Sequence, residues 1–336
     1  MATLLSNTEI TKFIGIPESV YNDLKSAEVD TFVAAANEFI PALLNKLVYQ
    51  KVNYISFTNP FKKFDGEPVP FGDGIENVFV DPPIGYKFGT DGDDPFKSYP
   101  NNVKTLYTSI NYQMQYPLTI SRVQLRKAVL NEYGLSNLVN ALARGLETAK
   151  SIDEYLATVI MLNNKDIYAK GFEELDVVGQ TKAQIAKTVT DTIVNTVSDM
   201  ALPSIDNNKL GIKAVTPRQK CLLVIKDKLY NSLNLDFLQG VFNLSKVDLI
   251  GNIIPVRSFM AVVNTSSGND LIPTAKGDDI DFIIIDEDGF DNHVALEDSG
   301  SIYNPKNKKW NTFVDLWKII SYKYGYQARA FKLKKS

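Results

Sequence analysis

Apolar residues recur along this chain with two periods, and the switch between them divides it. The clearest stretch is YPLTISRVQLRKAVLNEYGLSNLVNALARGLETAKSIDEYLATVIML, from Tyr116 to Leu162. A strand-like segment, Leu118–Ile120, leads into a short charged helix, Arg122–Glu132, and a break at Tyr133-Gly134. After Ser136, a good N-cap, Leu138, Leu142, Leu146, Ala149, Ile152, Leu156 and Ile160 follow at steps of three and four. That is one apolar stripe along a helix. Some 25–30 residues at about 1.5 Å each predict a rod of about 40 Å. A strut of that length behind a turn-rich arm suits a shell building block better than an enzyme.

Upstream, Glu28 to Val48 places Val29, Phe32, Val33, Ala36, Phe39, Ile40, Leu43, Leu44 and Leu47 on one helical face, with Pro41 expected to interrupt or kink it. The segment predicts an arm packed on its own subunit or on a neighbour. Residues 51–116 change character. Short β-prone pieces (Val52–Phe57, Val78–Val80, Leu106–Met114) alternate with turns such as Asp65-Gly66, Phe71-Gly72-Asp73-Gly74 and Asp91-Gly92-Asp93-Asp94-Pro95. Dispersed aromatics there (Phe57, Phe61, Phe64, Phe71, Phe79, Phe88, Phe96) predict a projecting hairpin covered by another chain, or else a loop-rich lobe of the same subunit.

Beyond a polar connector, Asn163–Gln180, a second amphipathic helix is predicted from Ile185, Val189, Ile193 and Val197. Residues 216–290 then alternate strand and helix. Cys221–Ile225, Val247–Ile250, Ile253–Val256 and Asp281–Ile285 read as strands, and a helix follows from Lys226 to about Leu238. Thr312–Leu333 is aromatic and strand-forming, and is expected to return to the body that carries the long helix.

Composition narrows the chemistry. The 336 residues carry 36 Lys and Arg against 39 Asp and Glu, a net charge of −3, which predicts no global affinity for nucleic acid. No apolar run reaches the roughly 18 residues of a membrane span, and MATLLSNTEI lacks the basic start and apolar core of a secretory signal. An acidic, soluble, intracellularly made protein is expected. His293 is the single histidine and Cys221 the single cysteine, so a standard four-ligand zinc site is excluded. His293 follows an acidic turn with no nucleophile motif nearby and reads as a surface or loop residue rather than a base. Cys221 sits in an apolar run and reads as a buried thiol. The acidic run Asp286-Glu287-Asp288-Gly289-Phe290-Asp291 and the loop at Asp91–Asp94 could ligate calcium or magnesium, but the first departs from the calcium-loop pattern in the place of its glycine, and solvated turns are the plainer reading of both. Lys306, Lys308 and Lys309 before Trp310, and the end Lys332-Leu333-Lys334-Lys335, read as solvated, with weak contact to enclosed nucleic acid as the alternative. No phosphate-cradling glycine motif is present.

The order of features resembles the major capsid proteins of tailed phages with the Hong Kong-type shell fold, closest to those of small short-tailed phages of Gram-positive bacteria. The resembling phrases are FTNPFKKFDGEPVPFGDGIENVFVDPP (57–83), YPLTISRVQLRKAVLNEYGLSNLV (116–139), the helix to Asp153-Glu154-Tyr155, CLLVIKDKLYNSLNLDFLQGVFN (221–243) and YNPKNKKWNTFVDLWKIISYKYGYQARAF (303–331). The resemblance implies an α+β chain. Its parts would be an N-terminal arm (1–50), an extended β-hairpin loop (51–118), a peripheral domain with the spine helix (119–180), an α/β axial domain (181–295), and return strands with a C-terminal tail (296–336). It implies a non-enzymatic protein without cofactor or resident metal that self-assembles through hexamers and pentamers into an icosahedral head around double-stranded DNA. Assembly would take place in the host cytoplasm, with possible scaffolding and portal partners, only weak DNA contact and no membrane. Expected contacts between copies are Phe61, Phe64, Phe71, Phe79 and Phe88 on the loop, and Leu142, Leu146 and Leu156 on the helix. An encapsulin-like nanocompartment shell, and less so a soluble α/β enzyme with a metal site near Asp286, remain the alternatives.

Overall fold

The computed structural model describes residues 6–49, 57–83, 85, 102–233, 242, 252–260 and 280–334. Phe88, the acidic loop at 91–94, most of the strand expected over 52–57 and that over 247–250 lie outside them. Three helices come first: α1 (Asn7–Ile14), α2 (Glu18–Asp23) and α3 (Val29–Tyr49). The expected break at Pro41 does not occur, for α3 runs through it with Ala36, Phe39, Ile40, Leu43 and Leu44 buried on both sides. An interior proline costs a helix about 3 kcal/mol, while each fully buried Leu or Ile returns about 1.5–3 kcal/mol, so burial wins. The face packs on its own subunit, against Ile120, Leu125, Leu135, Val139 and Trp310. Trp310 donates its indole N–H to Asn37 Oδ1 at 2.8 Å, and Phe32 meets its ring edge-on at 6.4 Å.

Strands β1 (Ile75–Val80) and β2 (Val103–Thr108) form an antiparallel two-stranded ribbon, in register from Ile75 opposite Thr108 to Val80 opposite Val103. Then come β3 (Tyr112–Ser121), α4 (Arg122–Leu130) and α5 (Gly134–Leu162). At 29 residues, α5 is about 43 Å long. It starts at Gly134 rather than behind a Ser136 cap, because Ser136 is buried inside it and Asn7 of the arm accepts the Leu135 N–H at 3.1 Å. The Asn7 amide also donates to the Asn131 carbonyl at 2.7 Å, closing the end of α4 as well.

The remaining elements are β4 (Phe172–Asp176), α6 (Lys182–Met200), β5 (Cys221–Lys226), α7 (Asp227–Tyr230), β6 (Ile253–Val256), β7 (Phe282–Asp286), β8 (Phe290–Asn304), β9 (Lys309–Tyr322) and β10 (Ala328–Lys334). They build a three-stranded sheet, β3-β9-β8, and a five-stranded mixed sheet, β4-β10-β7-β5-β6. In the five-stranded sheet Leu222, Val224, Ile283 and Ile285 face the end of α5, while Cys221, Leu223, Ile225, Phe282 and Ile284 face α6 through Val189, Ile193 and Val197. Burial on both faces is why CLLVI and FIII read as unbroken apolar runs. Of the helix expected after Lys226, the described residues hold one turn, α7.

Two departures concern the C-terminal third. The three-stranded sheet takes in β8 from Phe290, ahead of the boundary expected at 295/296. The basic end is no solvated tail: β10 pairs parallel with β4 and antiparallel with β7, with Phe331 and Leu333 buried and Lys332 and Lys334 alternating outward. Among the described residues no helix is long and apolar enough to cross a membrane.

Two helix glycines separate sterics from propensity. A Cβ on Gly134 would collide with the backbone of Ala128, whereas one on Gly145, mid-α5, meets nothing within 4 Å. Gly134→Ala is expected to destabilise by about 1–3 kcal/mol, and Gly145→Ala to stabilise by about 0.5–1 kcal/mol. Urea denaturation of both variants, followed by circular dichroism, checks the opposite signs.

Candidate functional site

The long helix rests on the three-stranded sheet through charge as well as hydrocarbon. Lys150, Ser151 and Glu154 are buried on its inner face. Lys150 pairs with Glu297 of β8, and Glu154 lies 3.2 Å from Lys318 of β9. Lys318 is itself buried and reaches Asp65, in the segment that leads to the ribbon, at 3.1 Å. Burial pushes the Glu154 carboxyl above its ordinary value and Lys318 pulls it back. Beside them the Tyr112 and Tyr116 hydroxyls lie 3.1 Å apart, both pushed upward chiefly by burial.

Inward-facing polar groups rotate α5 away from the orientation that the apolar stripe alone predicts. Leu146 is buried against Tyr112, Tyr116 and Val314, but Leu138, Leu142, Ala149, Leu156 and Ile160 are only half-buried and Ile152 is exposed. The buried apolar positions are instead Leu135, Val139, Ala143, Ala157, Val159 and Leu162.

The ribbon is anchored at its base by chain pairing. Gly66 N–H donates to Asn292 O at 2.8 Å and Val69 N–H to Val294 O at 2.9 Å, so residues 65–69 lie along the edge of β8. His293 belongs to β8 rather than to a loop. Its Nδ1 lies 2.6 Å from the Glu67 carbonyl and its Nε2 3.3 Å from Asp291 Oδ1, with Gly66 lying against the ring. Asn77 of β1 donates to Asp291 Oδ2 at 2.7 Å. Phe79 packs its ring against Gly325 and Tyr326, and Lys104 donates to the Leu210 carbonyl. These contacts seat the inner face of the ribbon on its own subunit.

Several aromatics expected to await a neighbour are therefore covered at home. Phe61 is 1% exposed, stacked on Tyr155 and tilted against Phe290, and Phe64 lies flat on Phe290 at 4.5 Å. Apolar surface is covered by whatever lies nearest, and α5 and β8 supply that cover. Phe71 stays 64% exposed, with Trp317 at 5.5 Å. The outer face of the ribbon was not singled out by sequence: Val78 (57%), Val80 (55%), Val103 (52%) and Tyr107 (65%) are all exposed on one side. Strict alternation in β1 and β2 was the available signal, for it leaves one face of a two-stranded ribbon bare.

Burial pushes the Cys221 thiol up to about 12, the opposite of activation. Asp286 is buried, accepts from the Thr216 hydroxyl at 2.8 Å and the Asp288 N–H at 3.0 Å, and is pushed upward by burial. Among the described residues no group of three or more His, Cys, Asp and Glu side chains is arranged to hold a metal ion.

A family model described as Phi29-like phage major capsid protein matches residues 16–332. The chain belongs to that family. It is 25% identical over 299 residues to the major capsid protein of Streptococcus phage Cp-1, covering 84% of this chain and 79% of that one. Against the major capsid protein of Bacillus phage PZA the identity is 24%, covering 88% of this chain but 63% of the relative. The fold is similar to that in the capsid structure of Staphylococcus phage Andhra, with a TM-score of 0.62 at 12% identity, over 85% of this chain and 88% of that one.

Lys318→Met leaves two carboxylates without their cation and is expected to cost about 3–5 kcal/mol, most of it recovered when Glu154→Leu is added. Denaturant midpoints of the single and double variants check this. For Asp286 the raised value means that the folded state holds the proton more tightly. Its contribution is present below the ordinary value of 3.8 and is lost as pH rises through the raised one. Asp286→Asn is expected to flatten that loss in a thermal-melt series against pH, with no response to added calcium or magnesium.

Proposed function

We propose that this member of the capsid family is the repeating unit of an icosahedral phage head, with copies joined as hexamers and pentamers around packaged double-stranded DNA. The observation that carries the reading is the bare outer face of the ribbon, Val78, Val80, Val103 and Tyr107, on a strand pair whose other face is already seated on the subunit. A two-stranded ribbon does not support such a face alone in water, and exposed contiguous apolar surface marks an interaction site. Its counterpart on a neighbour is the half-covered side of α5 at Leu142, Ile152 and Leu156, which would make α5 the spine of the shell. A patch that meets a different patch on the next copy forms rings when the rotation closes, and five- and six-fold rings tile a shell.

In this reading Phe71 joins the contact, while Phe61, Phe64 and Phe79 hold the ribbon in place. Leu146 serves the subunit core. The protein acts mechanically and has no catalytic role. The net charge of −3 suits a wall that does not grip its DNA. A separate scaffolding protein and a portal are the partners that this role invites.

Negative-stain electron microscopy of the purified chain, alone and co-expressed with a scaffolding protein, tests the assignment. Closed icosahedral shells are expected in at least one condition, and a uniform small oligomer in both overturns it. The double variant Val78→Asp/Val80→Asp changes only exposed positions. It should melt within about 1–2 °C of the parent yet form no shells under conditions where the parent does.

A further inference from the structure

Away from the ribbon, the arm and α4 form a groove of about 320 Å³. Its floor and walls are Val29 and Phe32 of α3 and Val123 and Leu130 of α4, and Val29, Val123 and Leu130 are each about half exposed or more. The rest of the lining is cationic: Arg122, Arg126 and Lys127. Arg126 is fixed over the Phe32 ring at 5.9 Å and donates to the Ser26 carbonyl at 3.2 Å. No lining residue is acidic, a local reversal in a chain where carboxylates outnumber cations by 39 to 36.

Three features restrict the occupant. Val123, Lys127 and Leu130 stand at steps of four and three on the outer side of α4, so the groove runs between two helices and offers the ridge spacing that takes a third. The apolar floor calls for hydrocarbon anchors, which a nucleic-acid backbone lacks. The cationic rim calls for carboxylates beside those anchors. We propose that this groove docks an amphipathic helix of a partner protein, with apolar side chains four residues apart and acidic residues flanking them. The site shares no lining residue with the ribbon.

The test uses unassembled chain isolated by size exclusion and a fluorescent helical peptide of about 15 residues, with leucines spaced four apart and glutamates beside them. Fluorescence anisotropy should show saturable binding. Lys127→Glu and Leu130→Asp, both at exposed positions, should each weaken it by roughly tenfold or more while thermal melting stays unchanged. A peptide with lysine in place of glutamate should not bind. The proposal is overturned by no saturation up to about 1 mM, by equal binding of the two peptides, or by variants that bind as the parent does. It is likewise overturned if a short DNA duplex competes for the groove more tightly than the peptide. A Leu130→Asp variant that alters oligomeric state without altering peptide binding would assign the groove to a second copy instead.

Discussion

The Lys318 ammonium lies under the long helix with carboxylates from two other parts of the chain around it: Glu154 from α5, and Asp65 from the segment that enters the ribbon. A buried cation has to be met by anions or it is not tolerated. Lys318 therefore sets the relative positions of β9, α5 and the ribbon base at one point. Such clusters add little net stability over a hydrocarbon core, and their better-attested use is to select one arrangement among several. Here they select the rotation of α5 about its own axis. Lys150 and Glu154 turn inward to reach Glu297 and Lys318, and Leu142, Leu156 and Ile152 turn sideways and outward.

That rotation marks where sequence reading succeeds and where it stops. Elements whose partners share their burial on both faces were legible: β5, β7 and α6 appear where unbroken apolar runs and steps of four put them. The helix α5 was legible as a helix but not in its facing, because periodicity registers hydrocarbon and the inner face is held by charges contributed from positions 65, 297 and 318. The N-cap of α5 failed for the same reason. Ser136 was the best local candidate, but the cap is Asn7, more than 120 residues upstream. Local rules of capping presume a local partner, and a long-range donor or acceptor supersedes them wherever the fold supplies one.

The aromatics of the loop give a parallel case. Dispersed rings in a turn-rich segment do need cover, and that much was readable. Which surface covers them is decided by proximity in three dimensions. Residues 65–69 run along the edge of β8 through the Gly66 and Val69 amides, and this brings Phe61 and Phe64 against Phe290 and Tyr155. Beside Phe71, the residues left bare were Val78, Val80, Val103 and Tyr107 of β1 and β2, and three of these are valines, which attract less notice in a sequence than phenylalanine.

A shell protein meets its neighbours many times over, and each meeting must cost little in order lost. The ribbon satisfies this before any neighbour arrives. Asn77 holds Asp291, Phe79 lies where only a glycine at position 325 leaves room for its ring, and His293 bears on the Glu67 carbonyl. A contact surface already fixed on its own subunit spends little binding free energy on ordering itself, so in the docking proposed above a modest apolar face such as Val78, Val80, Val103 and Tyr107 would be enough for each step. A floppy loop with the same residues would need a much larger contact to reach the same affinity. In that proposal the polar network at the ribbon base sets geometry and the hydrocarbon at its outer face supplies attraction.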